Sequence, residues 1–236
     1  MKPCKTLLLR GCVFLLAAVP AYCQRGEIGI DAGQAADKFG GLTRFTGAVG
    51  DVHGRLAILE GKKDEGSPDV VAGGEVRFPV DTAHHANEFA LFGGVEFHFT
   101  KGFSAGFHVQ VRKILVPPST VQGQFFNRYN IELLQLPLIV EYKFGPGRNV
   151  FLRAEGEPEF RPRFRGTSAT ATSSLPVPGF DHGYAVRGSL GYVFGKWYAN
   201  GSYETRYFKF TPGLGNPSGL YNWRSDFATG GVGILF

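Results

Sequence analysis

Between Glu88 and Lys113 the chain alternates apolar and polar residues twice, on either side of a Thr-Lys-Gly turn. Phe89, Leu91, Val95, Phe97 and Phe99 fall on odd positions, with Glu88, Glu96 and His98 on even ones. Beyond the turn, Phe103, Ala105, Phe107, Val109 and Val111 are odd again, with Ser104, His108, Gln110 and Arg112 between them. Side chains alternate faces along a strand, so each half is a ribbon with one apolar and one polar side. The short turn makes the two halves an antiparallel hairpin. Its apolar face needs an apolar solvent, and the choice is between a protein core and lipid.

The same alternation recurs along the chain. Val70, Ala72, Val76, Phe78 and Val80 oppose Glu75 and Arg77. Leu134, Leu136, Leu138, Val140, Tyr142 and Phe144 oppose Gln135, Pro137, Ile139, Glu141 and Lys143, with a candidate bulge at Leu133-Leu134. Val150, Leu152, Ala154, Pro158, Phe160 and Phe164 oppose Arg153, Glu155, Glu157, Glu159, Arg161 and Arg163. Tyr184 to Phe194 and Trp197 to Tyr207 repeat the pattern across Gly195-Lys196, and Ser225 to Phe236 forms the last strand. Residues 26–69 are less clear. Ile28, Ile30 and Ala32 alternate briefly, Gly40-Gly41 breaks the run, and Phe45 to Glu60 has no clean period.

Three observations favour lipid. Short connections follow Phe99, Phe144 and Phe194, whereas 114–127, 165–181 and 211–223 read as long loops, the asymmetry of short periplasmic turns and long external loops. Phe97, Phe99, Phe103, Tyr142, Phe144, Tyr192, Phe194, Trp197 and Phe236 gather beside the short turns, as an interfacial girdle requires. The opposite faces are too charged for a sandwich core; a soluble barrel could solvate them on its exterior, so this point counts only together with the banding of the aromatics. A strand needs ~9–11 residues to cross tilted. An open sheet edge in lipid costs several kcal/mol per unpaired group, so the sheet must close. The expected fold is therefore all-β, a closed antiparallel up-and-down transmembrane β-barrel. Seven strands are clear from Glu88 onward, and an even total gives eight, or ten if segments near 27–33, 44–60 and 70–80 all form strands.

The first 23 residues read as an export signal: Lys2 and Lys5, the apolar run Leu7 to Val19 interrupted by Arg10, then Pro20 and small residues. Cys4, Cys12 and Cys23 all lie there, so cleavage after Cys23 leaves no disulfide or thiol chemistry. Removing the segment leaves 22 basic against 20 acidic residues, and the mature chain has no compositional support for nucleic-acid binding. The expected organisation is a signal peptide at 1–23, an N-terminal segment at 24–69 with the first strand or strands, and a barrel at 70–236.

The signal segment, the alternating hairpins and the terminal Val232-Gly-Ile-Leu-Phe236 resemble the OmpA-type outer-membrane barrel superfamily over most of 70–236. The resemblance implies residence in the outer membrane of a Gram-negative-type bacterium, in contact with outer-membrane lipid. It also implies that Val232, Ile234 and Phe236 form the signal read by the barrel-assembly machinery. The peptidoglycan-binding domain that often follows in such proteins is expected to be absent, since the sequence stops at Phe236.

The inward face is expected to carry Glu75, Arg77, Glu96, His98, His108, Arg112, Glu141, Lys143, Arg153, Glu155, Glu157, Glu159, Arg161, Arg163, Arg187, Glu204 and Arg206. Acids and bases nearly balance, which suggests mutual pairing in a filled lumen. The principal network expected is Glu96, Arg112, Arg153, Glu155, Glu157, Glu159, Arg161, Arg187, Glu204 and Arg206. His84-His85 and Asp181-His182 are candidate loop sites, but solvated loop histidines are the commoner outcome. Gly93-Gly94 and Gly230-Gly231 precede no helix and read as sheet curvature rather than phosphate loops. No catalytic, cofactor or metal residues are assigned. The reading is a non-catalytic barrel acting through its external loops on an unidentified surface partner. The alternatives are a narrow solute channel, an outer-membrane lipid-modifying enzyme or protease, and a soluble secreted barrel that binds an apolar ligand.

Overall fold

A computed structural model describes residues 25–39, 44–61, 67–81, 85–100, 102–116, 119–121, 124–168, 180–210 and 222–236. The signal segment, Gly40-Gly41 and His84 lie outside them. The strands are β1 (Arg25–Phe39), β2 (Arg44–Leu59), β3 (Asp69–Pro79), β4 (Asn87–His98), β5 (Phe103–Val116) and β6 (Ser119–Val121). They continue with β7 (Gln124–Gln135), β8 (Leu138–Phe144), β9 (Val150–Ser168), β10 (Phe180–Phe194), β11 (Trp197–Phe210) and β12 (Trp223–Leu235).

Sequence neighbours pair antiparallel around a ring. β1 closes it against β12, from Glu27↔Leu235 to Phe39↔Trp223. At the same end Gly26 and Phe236 exchange backbone hydrogen bonds of 2.7 and 3.0 Å. β7 and β8 share one stave, interrupted at Leu136-Pro137, because both pair with β5 and with β9. Proline has no N–H for the ladder, and the chain answers by turning the Pro137 carbonyl to the His108 amide at 2.9 Å. β6 is a short return onto the start of β7.

The barrel therefore has ten staves, not eight. β1 and β2 are full-length members of the wall, so the segment before residue 70 supplies two strands of its own. Residues 114–127 are mostly strand rather than loop, since β5 runs to Val116 and β7 begins at Gln124. The bulge anticipated at Leu133-Leu134 appears as a register shift between Glu132 and Leu134 against β9. It does not change the faces: Leu133 points in and Leu134 points out.

Gly195 at φ +69° supplies the left-handed backbone that the two-residue turn between Phe194 and Trp197 needs. The β9–β10 ladder runs from Val150↔Tyr192 to Pro158↔Tyr184, and beyond Pro158 the described pairing of β9 is with β7.

Candidate functional site

The two faces of the wall differ in solvent. Phe107, Val109, Leu136 and Leu138 are 49, 49, 40 and 58 % exposed, whereas Arg112 and Glu157 are 1 and 5 % exposed. Greasy residues face outward and ionic ones inward. Near the short turns the outward aromatics form a ring: Tyr142 lies 5.8 Å from Phe144, and Phe99 lies 5.7 Å from Phe103. Tyr192, Phe194 and Trp197 continue it, all exposed. An apolar outer band with an aromatic border around a sealed ionic lumen is a solution for lipid, not for water. In architecture the protein is a small closed antiparallel β-barrel with an apolar exterior.

The lumen has three levels. At mid-height, guanidiniums and carboxylates form chords across the barrel. Arg77 on β3 reaches β11, where its two Nη atoms donate to Glu204 at 2.8 and 3.3 Å. It also donates to Glu75 at 2.8 Å and to Asp51 at 3.3 Å. Glu88 on β4 takes Arg206 of β11 at 2.9 Å and Arg112 of β5 at 2.8 Å. Arg206 then donates to Glu204 at 2.5 Å, which joins the two chords. Gln135 accepts from Gln110 and Arg112 and donates to Glu157 at 2.8 Å, which extends the network to β9. Arg187 of β10 joins through Glu75 at 3.1 Å. Each of these groups is buried or nearly so, and each arginine is held by more than one acidic or amide partner or by a geometry close to bidentate, as desolvated charges require.

Above this layer the lumen is apolar. Phe227, Ala35 and Val49 form one buried cluster, and the centroid of the Phe227 ring lies 4.0 Å from the Arg77 guanidinium carbon. Ile114, Ile131 and Leu133 are buried on the opposite staves, and Phe208 stacks on Trp223 at 5.3 Å. At the rim, Asp37 receives the Trp223 indole N–H at 3.1 Å and the Ser225 hydroxyl, and it meets His85 Nδ1 at 2.6 Å. The hydrogen bond to Asp37 raises the pKa of His85 above the ordinary imidazole value. His85 thus pins the β3–β4 connection to the lumen wall.

Below the mid-height layer lies a polar vestibule with a cavity of about 280 Å³, bounded by residues from Arg25 and Lys143 at the rim to Glu75, Gln110 and Arg187 at the network's lower face. Its pairs border that open space. Arg153 donates to Glu141 at 2.7 Å and to Glu27 at 3.2 Å. Arg55 binds Glu96, and His108 lies 3.1 Å from the same carboxylate while stacking on Phe92 at 4.8 Å. Asp69 gathers Arg25 and, at 2.7 Å, His98. His53 meets the Tyr198 hydroxyl at 2.9 Å.

The structure places Glu96, Arg112, Arg153, Glu155, Glu157, Arg187, Glu204 and Arg206 on the lumen side, divided between two levels. Arg112, Glu157, Glu204 and Arg206 sit in the dry layer, whereas Glu96, Arg153 and Glu155 line the cavity, and Arg187 touches both. The side chains of Glu159 and Arg161, and of Arg163, lie outside the described residues. Sequence reasoning missed Glu27, Asp31, Asp51, His53, Arg55 and Asp69 as lumen groups. Their signal was present as polar residues on odd positions in β1, β2 and the start of β3. Asp181 and His182 sit 3.4 Å apart on the exposed wall, and Asp181 also pairs with Lys209 at 3.2 Å. Among the described residues no group of three or more His, Cys, Asp or Glu has a metal-binding arrangement.

No protein-family model matches the chain, and no curated protein matches it. Solved structures similar to it include the Neisserial surface protein A, at 13 % identity over 89 % of this chain and 97 % of that one, with a TM-score of 0.42. The outer-membrane protease OmpT of Escherichia coli aligns at 11 % identity over 90 and 97 %, with a TM-score of 0.47. The attachment invasion locus protein Ail of Yersinia pestis aligns at 11 % identity over 90 and 98 %, with a TM-score of 0.29. These likenesses are too distant to carry an activity across.

Proposed function

We propose that the protein resides in the outer membrane of a Gram-negative-type bacterium as a non-conducting, non-catalytic β-barrel that presents its external connections to a surface partner. The observation that carries this reading is the pair of chords Glu88–Arg206 and Arg77–Glu204, which occupy the lumen at mid-height beneath an apolar layer. A solute entering the vestibule meets buried ion pairs whose separation would leave several charges unpaired in a dry interior. That favours an anchor over a channel. Insertion is proposed to run through the last strand, where Val232 and Ile234 face lipid and Phe236 completes the seam to Gly26. The barrel-assembly machinery is the proposed reader of that strand.

Two measurements test the reading. Fractionated cells should hold the protein in detergent-extractable outer membrane, as a compact band that shifts on heating. Purified protein in a planar bilayer should give no current steps above the bare membrane. Stable, voltage-independent steps would replace the anchor with a channel.

A further inference from the structure

A second set of charges faces lipid instead of the lumen. Lys38 on β1 and Arg224 on β12 are direct cross-strand partners, and both are exposed. Alternation turns them to the same wall as Ile30 and Val232. Tyr207 of β11 lies opposite Arg224 on its other side, and register places Arg44 of β2 opposite Lys38. One transverse row thus reads Tyr207, Arg224, Lys38, Arg44 across four adjacent strands, each ~4.8 Å from the next.

Like charges set directly opposite on a sheet destabilise it unless something anionic covers them. Arg224 has partial compensation, since its Nε and Nη2 donate to Asp226 at 3.2 and 3.1 Å. Lys38 has no hydrogen-bond or ion-pair partner among the described residues. The row is a cationic ridge with one carboxylate beside it.

Height decides what the ridge meets. Ile28 pairs with Ile234, which pairs with Trp197 in the aromatic border near the short turns. At ~3.3 Å per residue and a tilt of ~40°, the climb from Ile28 to Lys38 is about 25 Å along the barrel axis. That is the height of the apolar band of an outer-membrane barrel. The ridge stands at the far interface, where headgroups lie. Beneath it stand Ala36 and Asp226, then Gln34, Ala228 and Tyr203, and only below these is the wall bare. Gly201, Gly230 and Ala32 are cross-strand neighbours facing outward. A Cβ added at Gly201 or Gly230 would meet nothing closer than a backbone oxygen at 3.9 or 3.5 Å. A shallow apolar trough under a cationic ridge fits one molecule with an anionic head and acyl chains.

We propose that this ridge binds the phosphate of a phosphorylated glycolipid of the outer leaflet, with Lys38 and Arg224 as the cationic pair and the chains lying over Gly201, Gly230 and Ala32. The inference rests on the outer-membrane reading above. Arg224 supplies a planar fork suited to phosphate oxygens, and Lys38 a point charge.

The full chain, folded into zwitterionic phospholipid vesicles, is heated with bis-phosphorylated lipid A or with the same lipid stripped of its phosphates. The temperature at which the compact gel band disappears should be about 5 °C higher with the phosphorylated form. Lys38→Gln with Arg224→Gln should abolish that difference while keeping the compact band. If the double variant does not fold, Lys38→Gln alone, at an exposed position, should at least halve it. Equal midpoints for the two lipids, or an undiminished difference in the variants, would overturn the proposal. So would inorganic phosphate at matched concentration giving the same shift, because the lipid would then not be the source. A wild-type chain that forms no compact band in any vesicle would sink the membrane reading itself, an outcome distinct from equal midpoints.

Discussion

The mid-height layer and the vestibule below it are built from the same residue types, yet they do different things. In the layer, Glu88, Arg206 and Glu204 are 2, 0 and 3 % exposed and hold one another across the full width of the lumen. In the vestibule, the Arg153, Glu27 and Glu141 side chains are 20, 17 and 12 % exposed and border open space. A buried ion pair contributes little when intact, because desolvation offsets its Coulomb gain, but losing one partner is expensive. A wet pair contributes little either way. Charge in a lumen is therefore not one phenomenon. The dry layer ties opposite staves together across the lumen, and the lower layer borders a polar cavity.

The largest effect that sharpens this contrast comes from Glu88→Ala. It strips Arg112 and Arg206 of their shared carboxylate without touching the lipid face. Equilibrium unfolding by urea in vesicles should show a loss of about 3–5 kcal/mol. Replacing Glu88 by Gln, which keeps the shape and removes the charge, should recover part of that loss. A cost under about 1 kcal/mol for the alanine variant would mean that the layer admits water, and the distinction between the two levels would collapse.

The orientation of the wall was legible in the sequence because outward Phe, Leu and Val alternate with inward Arg and Glu from Val70 onward. The stave count was not. In β2 the outward face holds Thr46, Ala48, Gly50, Val52 and Gly54, while the inward face includes Val49 and Ala57, so the contrast that marks a strand is weak. β1 has the same defect at Ala32, Ala35 and Ala36. The apolar layer was hidden for the opposite reason. Ile114, Ile131 and Leu133 put apolar groups on the inward face, which breaks the pattern, and Pro117-Pro118 made 114–127 read as a loop. Which arginine meets which glutamate depends on stagger around the ring. Glu88 and Arg206 are 118 residues apart, and no local pattern links them.

A middle-sized effect probes the boundary between the levels. Gly231 on β12 faces Asp31 of β1 at the same height, where a Cβ would stand 1.9 Å from Asp31 Oδ1 and 2.2 Å from the Ile30 carbonyl. Gly231→Ala should therefore force the seam apart locally and destabilise the barrel by about 1–3 kcal/mol. Gly188→Ala is the control, since a Cβ there meets nothing within 4 Å and the residue is exposed. It should fall within about 0.5 kcal/mol of wild type. Similar costs for the two would show that the approach of Asp31 to β12 is slack.

The smallest effect belongs to the vestibule. Arg153→Ala removes the contacts to Glu141 and Glu27 together. Both carboxylates keep other cations nearby, since Lys143 lies 3.2 Å from Glu141 and Arg55 lies 3.7 Å from Glu27. Because the group borders a cavity and retains solvent access, the expected cost is at most about 1 kcal/mol, and it should shrink as salt is raised from 0.1 to 1 M. The chords above remain in place, so bilayer current should stay at the baseline. A salt-independent loss as large as that of Glu88→Ala would show that the vestibule is as dry as the layer above it. In that case the cavity would be a packing defect in a single continuous plug rather than a chamber below one.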